Sequence, residues 1–90
     1  MSSLDYKLAD AEKRDLISSC SIKGERNFTL KEISSLPYGY MLLFQDKEGH
    51  CSGMIANIYA NNGKKVADVL PDCGFAARVK GFIEDYLNQK

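Results

Sequence analysis

Three apolar segments, residues 38–46, 50–60 and 64–70, constrain the fold of this chain more than any other feature of its sequence. Their apolar residues include β-branched and aromatic side chains, which favour extended strands. The polar residues 46–49 favour a turn between the first two segments, and Asn62-Gly63 supplies the positive dihedral angles of a two-residue hairpin loop. The sequence therefore predicts an antiparallel meander of three strands.

The lengths of the two turns predict the strand register and hence the composition of each sheet face. A four-residue turn pairs Gln45 with His50, and the second loop pairs Asn61 with Lys64. Because alternate residues point to opposite faces, one predicted face carries mainly small and aliphatic residues: Met41, Leu43, Met54, Ala56, Ile58, Ala67 and Val69. The other face carries most of the tyrosines: Tyr38, Tyr40, Leu42, Phe44, Ile55, Asn57, Tyr59, Val66, Asp68 and Leu70.

Two helices are predicted before the meander. Residues 2–20 form the first, and Ser2 with Asp5 three residues later resembles a weak cap at its start. Thr29 and Glu32 have the spacing of a capping box, which predicts a second, short helix over residues 30–35. Pro37 ends this short helix, because proline disfavours helical geometry at the residue before it.

A C-terminal helix is predicted after the meander. The apolar residues of segment 75–87 recur with a period of 3.6 residues, which indicates an amphipathic helix. Asp72 is its predicted cap, and Gly81 predicts a close approach to the sheet. The predicted fold class is therefore α+β in one domain of residues 1–90, with an N-terminal helix, a short capped helix, a three-stranded antiparallel meander and a C-terminal helix packed on one sheet face.

The tyrosine-rich face of the predicted meander admits three interpretations. The N-terminal helices cover it and complete a three-layer core. Alternatively, a protein partner or a second copy of the chain docks on it, since tyrosine buries area and keeps a polar tip. In the third interpretation its rings stack on the bases of single-stranded RNA.

The composition is that of a globular protein without charge bias. Twelve basic residues balance twelve acidic ones, which argues against nucleic-acid binding driven by net charge. No apolar run approaches the ~20 residues of a membrane span, and the polar N-terminal residues do not resemble a signal peptide. Cys20, Cys51 and Cys73 are a poor disulfide framework, so the sequence predicts free thiols in a reducing cytoplasm and no membrane association.

No arrangement of residues predicts catalysis, a cofactor or a metal site. Residues 49–53 match a nucleophile elbow, but a strand follows them where that motif requires a helix, and neighbouring strand residues point to opposite faces. Cys20, His50, Cys51 and Cys73 lack the paired spacing of zinc ligands. We therefore predict a protein that is not an enzyme.

Protein binding is the function predicted from these features. The predicted contact residues lie on the second sheet face: Tyr38, Tyr40, Tyr59, Asn57 and Asp68. Small size and the lack of reactive groups are typical of inhibitors or adaptors, including those that phages and other mobile elements carry and direct at CRISPR systems. A homodimer through the same face is compatible with this prediction.

The alternative prediction is a nucleic-acid-binding protein. It would use the aromatic face for base stacking and three nearby basic residues for phosphate contacts. These residues are Arg26, Lys64 and Lys65.

Overall fold

The computed structural model describes residues 4–24 and 26–89, which form one antiparallel sheet and two helices. The elements in chain order are β1 (Leu4–Asp5), α1 (Asp10–Ser19), β2 (Ser21–Ile22), β3 (Phe28–Leu36), β4 (Gly39–Gln45), β5 (Cys51–Asn61), β6 (Lys64–Leu70) and α2 (Gly74–Asn88). The strands β3 to β6 form the body of the sheet.

The sheet has the strand order β6-β5-β4-β3-β2. Strand β1 pairs with residues 59–60 of β5, along the same edge of β5 whose residues 51–56 pair with β4. Helix α2 packs along β6 and also contacts β2 at the opposite end of this order, so the sheet curls around it. Helix α1 packs against β3, and Tyr86 of α2 donates a hydrogen bond to Asp15 of α1 (2.7 Å). Both helices therefore lie on one side of the sheet, which we call the inner face.

The α+β class is confirmed, but the predicted arrangement of a short capped helix and a three-stranded meander is wrong. The meander forms the strands β4, β5 and β6, and the sheet is wider because β1, β2 and β3 join it. Helix α1 begins at Asp10 because residues 4–5 pair with β5. The predicted cap residue Ser2 lies outside the described residues, and the Glu12 carboxylate accepts a hydrogen bond from the Ala9 N–H at the helix start (2.9 Å).

Residues 30–35, predicted as a short helix, belong to strand β3. A β-bulge lies between Leu30 and Glu32, where β3 has one residue more than β4 opposite it. The extra residue makes Leu30 and Ile33 face the same side although they are three residues apart, which is a helical spacing. Thr29, the predicted helix cap, places its hydroxyl 3.4 Å from the Gln45 carbonyl oxygen instead. Pairing with β4 thus overrides the local helix signal.

Pro37 and Tyr38 form the two-residue turn between β3 and β4, with Leu36 paired to Gly39. Proline suits the second position of such a turn because its ring fixes φ. Gly39 follows with a φ of 109°, a region that glycine enters far more readily than other residues. Proline followed two residues later by glycine is therefore a hairpin signal in this chain.

The turn between β4 and β5 has five residues, because Gln45 pairs with Cys51 and not with His50 as predicted. The Asp46 carboxylate stabilises this longer turn: its Oδ1 accepts hydrogen bonds from the N–H groups of Glu48 and His50, both at 2.9 Å. One additional turn residue exchanges the two faces of an adjoining strand, since side chains alternate along it. The predicted faces of β4 are therefore wrong.

Strands β5 and β6 pair as predicted, with Asn61 opposite Lys64. The inner face accordingly combines their small residues with the aromatic residues of β4. Its buried sheet residues are Leu30, Tyr40, Leu42, Phe44, Met54, Ala56, Ile58, Ala67 and Val69. The buried helix residues that pack on them are Leu16, Ala76, Val79, Ile83 and Leu87.

The predicted C-terminal helix is confirmed as α2, with two corrections. Cys73 and not Asp72 is its N-cap residue. A Cβ atom built on Gly81 would meet nothing within 4 Å, so the close approach predicted there does not occur.

Candidate functional site

The side of the sheet opposite the helices keeps its apolar residues accessible. We call this surface the open face and define it by the outward residues Met41, Leu43, Ile55, Asn57, Tyr59, Val66, Asp68 and Leu70. Ile55 is 37% exposed and Leu70 is 51% exposed, whereas the core residues beneath the helices are less than a tenth exposed. The open face is the candidate binding surface of the described chain.

Three apolar side chains form a continuous row across the open face. Met41 on β4 lies opposite Ile55 on β5, and Ile55 lies opposite Leu70 on β6. Directly opposed residues on one sheet face have Cβ atoms about 5 Å apart, so these side chains contact each other. A Cβ built on Gly53 would lie 3.5 Å from the Met41 sulfur, which shows that Met41 extends over this glycine.

Polar groups lie beside this row. Asn57 is directly opposite Asp68, and Tyr59 lies next along β5 on the same face. Burial raises the pKa of the Tyr59 hydroxyl, and its hydrogen bond to the Asp68 carboxylate raises it further. Lys80 of α2 places its Nζ 4.0 Å from an Asp68 oxygen, so this carboxylate also has a basic neighbour.

The structure divides the predicted contact residues between three places. Asn57, Tyr59 and Asp68 lie together on the open face, as predicted. Tyr40 lies on the inner face and is 7% exposed; its hydroxyl oxygen accepts a hydrogen bond from the Leu8 N–H at 2.8 Å. Tyr38 lies in the β3–β4 turn and is 87% exposed.

A pocket of about 320 Å³ lies where β1 ends and β4 begins along the edge of β5. Three of the predicted contact residues line this pocket: Tyr38, Tyr40 and Asn57. The gap between β1 and β4 along β5 therefore brings these residues to one concavity. Gly39 also lines it, and a Cβ atom on Gly39 would approach within 2.4 Å of the Asn57 side-chain oxygen. The Asn57 side chain therefore packs against the backbone of Gly39, directly after the β3–β4 turn.

The structure does not bring the three predicted phosphate-contacting residues together. Arg26 forms an ion pair with Asp46 (3.1 Å) beside the β4–β5 turn. Lys64 and Lys65 lie at the other end of β5, about 30 Å away along the strand. The two lysines also point to opposite faces, and the Lys65 Nζ lies 5.2 Å from the Tyr6 ring centre.

One cluster of potential metal ligands exists in the described residues. Side-chain donor atoms of Asp46, Glu48 and His50 lie within 4.8 Å of one another. Burial favours a raised pKa for Asp46, but hydrogen bonds from the His50 and Glu48 backbone and the His50 ring outweigh it and lower the pKa. Because Arg26 also pairs with this carboxylate, the arrangement is that of a stabilised turn.

The three cysteines differ in burial. Cys20 is buried, and burial raises its pKa to about 11, so it stays protonated at neutral pH. Cys51 and Cys73 are exposed free thiols. Cys51 begins strand β5, and its neighbour His50 directs the ring Nδ1 toward Arg26 (2.9 Å). As predicted, residues 49–53 lead into a strand, where a nucleophile elbow requires a helix.

Sequence reasoning missed Met41 and Leu43 as surface residues because it placed β4 one residue out of register. The signal that could have found them is Asp46 at the start of the turn. Aspartate accepts hydrogen bonds from backbone groups a few residues ahead and so favours the longer loop.

No family model, curated protein or solved structure matches this chain. Neither of the described helices has the length and apolar character that crossing a membrane requires.

Proposed function

We propose that this protein is a non-enzymatic module that binds another protein through the open face. The row of Met41, Ile55 and Leu70 is the observation that supports this proposal. Both helices of the described residues pack on the inner face and leave this apolar row accessible. Contiguous exposed apolar surface on a small protein is typical of a docking site.

Charges around the open face favour a particular partner. Cross-strand pairing places Asp5, Glu32 and Asp68 on the outer side of the sheet, with Lys64 at the hairpin end. Acidic groups disfavour a polyanion such as RNA or DNA, whose binding depends on basic side chains. The complementary partner is a protein surface with an apolar centre and basic residues at its rim.

An inhibitor or adaptor would use the open face in the same way, by occupying an apolar patch of its target. We place this function in a reducing compartment such as the cytoplasm. The three cysteines are free thiols, and the oxidising environment outside the cell favours their pairing.

Affinity capture with two matched variants tests the proposal. The Ile55→Thr/Leu70→Thr double variant removes apolar surface from the open face and keeps residues that favour strands. The Ile17→Thr variant makes one such substitution on α1, at the helix side of the molecule, where Ile17 packs partly against the core. Circular dichroism therefore checks that this variant and the double variant are folded. A captured protein is then purified, and its dissociation constant is measured for each variant.

We expect the double variant to weaken binding by about fivefold per substitution, because each removes roughly 1 kcal/mol of apolar burial. We expect Ile17→Thr to bind as the wild type does. Equal affinity of the double variant and the wild type would contradict the proposal. So would salt-sensitive retention of RNA or DNA with no protein, which would favour the nucleic-acid alternative.

A further inference from the structure

Strand β5 is longer than the strand that covers one of its sides. Strand β6 pairs with residues 55–61 of β5 and ends at Leu70. The chain then leaves the sheet and enters helix α2. Residues 51–54, the start of β5, therefore have β4 on one side and, within the described chain, no strand on the other. We call this segment the β5 edge.

Every second residue of the β5 edge directs its backbone groups away from the sheet. The Asp46 N–H donates to the His50 carbonyl (3.0 Å), which sets the alternation along the strand that follows. Ser52 accordingly bonds β4, whereas Cys51 and Gly53 direct their N–H and C=O groups outward. Both residues are exposed, and these four groups have no hydrogen-bond partner among the described residues.

Gly53 leaves a notch in the open face beside these outward groups. It has no side chain, and Leu43 lies directly opposite it on β4. A Cβ atom at this glycine would lie 3.5 Å from the Met41 sulfur. Ile55 and its partner Leu70 bound the notch on the side of β6. A side chain that enters the notch from the β5 edge therefore meets apolar groups.

We propose that the β5 edge binds an extended segment of a partner protein, which continues the line of β6 and pairs with Cys51 and Gly53 in antiparallel orientation. Two pairs of this kind exchange four backbone hydrogen bonds. The partner residue opposite Gly53 places a large apolar side chain in the notch, and the residue opposite Cys51 points to the same face. This inference rests on the proposed function, since it states how the partner of the open face is held.

Helix α2 restricts the partner residue between these two. The ring of Phe75, in the first turn of α2, lies 5.2 Å from the ring of Phe44, which is opposite Ser52. The start of the helix thus lies on the inner side of the β5 edge, where the partner residue opposite Ser52 points. That residue is therefore small, and the partner segment has the pattern apolar-small-apolar.

A second copy of this chain offers no suitable strand among its described residues. If two β5 edges paired about a twofold axis at Ser52, Gly49 of one copy would take the place of Leu70 opposite Ile55 in the other. Side chains of α2 bond the backbone of β6, and α1 packs along β3. Strands β1 and β2 have two residues each, fewer than the pattern requires. The occupant is therefore a segment of a different protein.

Two short peptides test the backbone pairing. The first, acetyl-Lys-Thr-Leu-Ser-Leu-Thr-Lys-amide, carries the apolar-small-apolar pattern, and its lysines keep it soluble. The second is the same peptide with a methyl group on the backbone nitrogen of its first leucine. That methyl removes the N–H that bonds the Gly53 carbonyl and keeps every side chain. Titration followed by NMR gives both affinities, and amide hydrogen exchange shows where each peptide binds.

We expect the first peptide to slow exchange of the Cys51 and Gly53 amides by at least fivefold at saturation. The methylated peptide should bind at least tenfold more weakly, because it leaves a carbonyl without its donor. Equal affinities, or no binding of the first peptide at millimolar concentration, would overturn the proposal. A wild-type mass that doubles with concentration while these two amides become protected would assign the edge to a second copy and overturn it too.

Gly53→Pro and Gly53→Ala are matched variants of the protein. Proline removes the outward N–H but no ladder bond to β4, whereas alanine keeps that N–H and places its Cβ in ordinary contact with Met41. We expect Gly53→Pro to weaken binding of the first peptide at least tenfold and Gly53→Ala by less than threefold. Circular dichroism checks that both are folded. Equal binding by the two variants would contradict pairing at this edge.

The proposed function and this edge pairing fail in different experiments. If the open face binds no partner, the Ile55→Thr/Leu70→Thr variant keeps wild-type affinity for a captured protein. If only the edge pairing is wrong, that double variant weakens binding of the captured protein while Gly53→Pro does not, and the two peptides bind the wild type equally.

Discussion

At the scale of single residues, Asp46 stabilises the turn whose length sets which face of β4 is buried. Its carboxylate accepts two backbone hydrogen bonds and holds the β4–β5 turn at five residues. That length directs Phe44 into the core, where it is fully buried, and turns Leu43 toward solvent. A buried side chain of a turn thereby determines which surface the protein presents.

Gly39 is the residue at which the backbone most requires glycine. Its φ of 109° strains any other residue, and the Asn57 oxygen would lie 2.4 Å from an added Cβ. We expect Gly39→Ala to lower the free energy of unfolding by about 1–3 kcal/mol, as measured by urea denaturation. Gly81→Ala is the control, since a Cβ there meets nothing within 4 Å and alanine favours the helix. It should raise stability by about 0.5–1 kcal/mol. Equal effects of the two variants would contradict this account of Gly39.

At the scale of elements, helix α2 acts both as a packing partner and as a cover for an edge strand. Its apolar side buries Val79 and Ile83, while Glu84 and Asn88 reach the backbone of β6. Covering an edge in this way prevents unwanted strand pairing.

The same contacts predict how stability depends on pH. Burial favours a raised pKa for Glu84, but the Lys80 ammonium and the Ala67 N–H outweigh it and lower the pKa below its usual value. A carboxyl whose pKa is lower in the folded than in the unfolded state stabilises the fold above the unfolded value of about 4.3 and loses that effect as pH falls. We expect Glu84→Gln to flatten the decrease of the unfolding free energy between about pH 5 and pH 3.

Asp85→Asn is the control for this pH experiment. Asp85 is the exposed neighbour of Glu84 on α2. Its substitution should leave the acid limb of the stability profile unchanged. An acid limb that is unaltered in Glu84→Gln would show that the contacts to Lys80 and Ala67 do not govern acid unfolding.

At the scale of the whole molecule, the number of residues in one turn selects which of two sheet surfaces meets solvent. Deletion of Lys47 shortens the β4–β5 turn to four residues, the length that the sequence predicts. Because the shorter turn directs Tyr40 and Phe44 outward, we expect a large fall in the urea midpoint. Lys47→Ala keeps the turn length and should leave the midpoint unchanged. A deletion variant as stable as the wild type would show that register is set elsewhere.

Local sequence reasoning succeeds where its signals act over a few residues. The Asn62-Gly63 loop specifies the β5–β6 hairpin, because a two-residue turn of this kind fixes its flanking pairs. The 3.6-residue period specifies α2, because a helix forms its hydrogen bonds within its own segment. The hairpin supplies the correctly predicted part of the open face, with Asn57, Tyr59 and Asp68.

The sequence by itself therefore determined the α+β class, the β5–β6 hairpin and the C-terminal helix. Only the tertiary structure decided that residues 28–36 form a strand and that Tyr40 lies inside while Met41 lies outside. Strand identity and register depend on hydrogen bonds and burial between segments distant in sequence, and these outweigh the weak local preferences of a capping box or a turn.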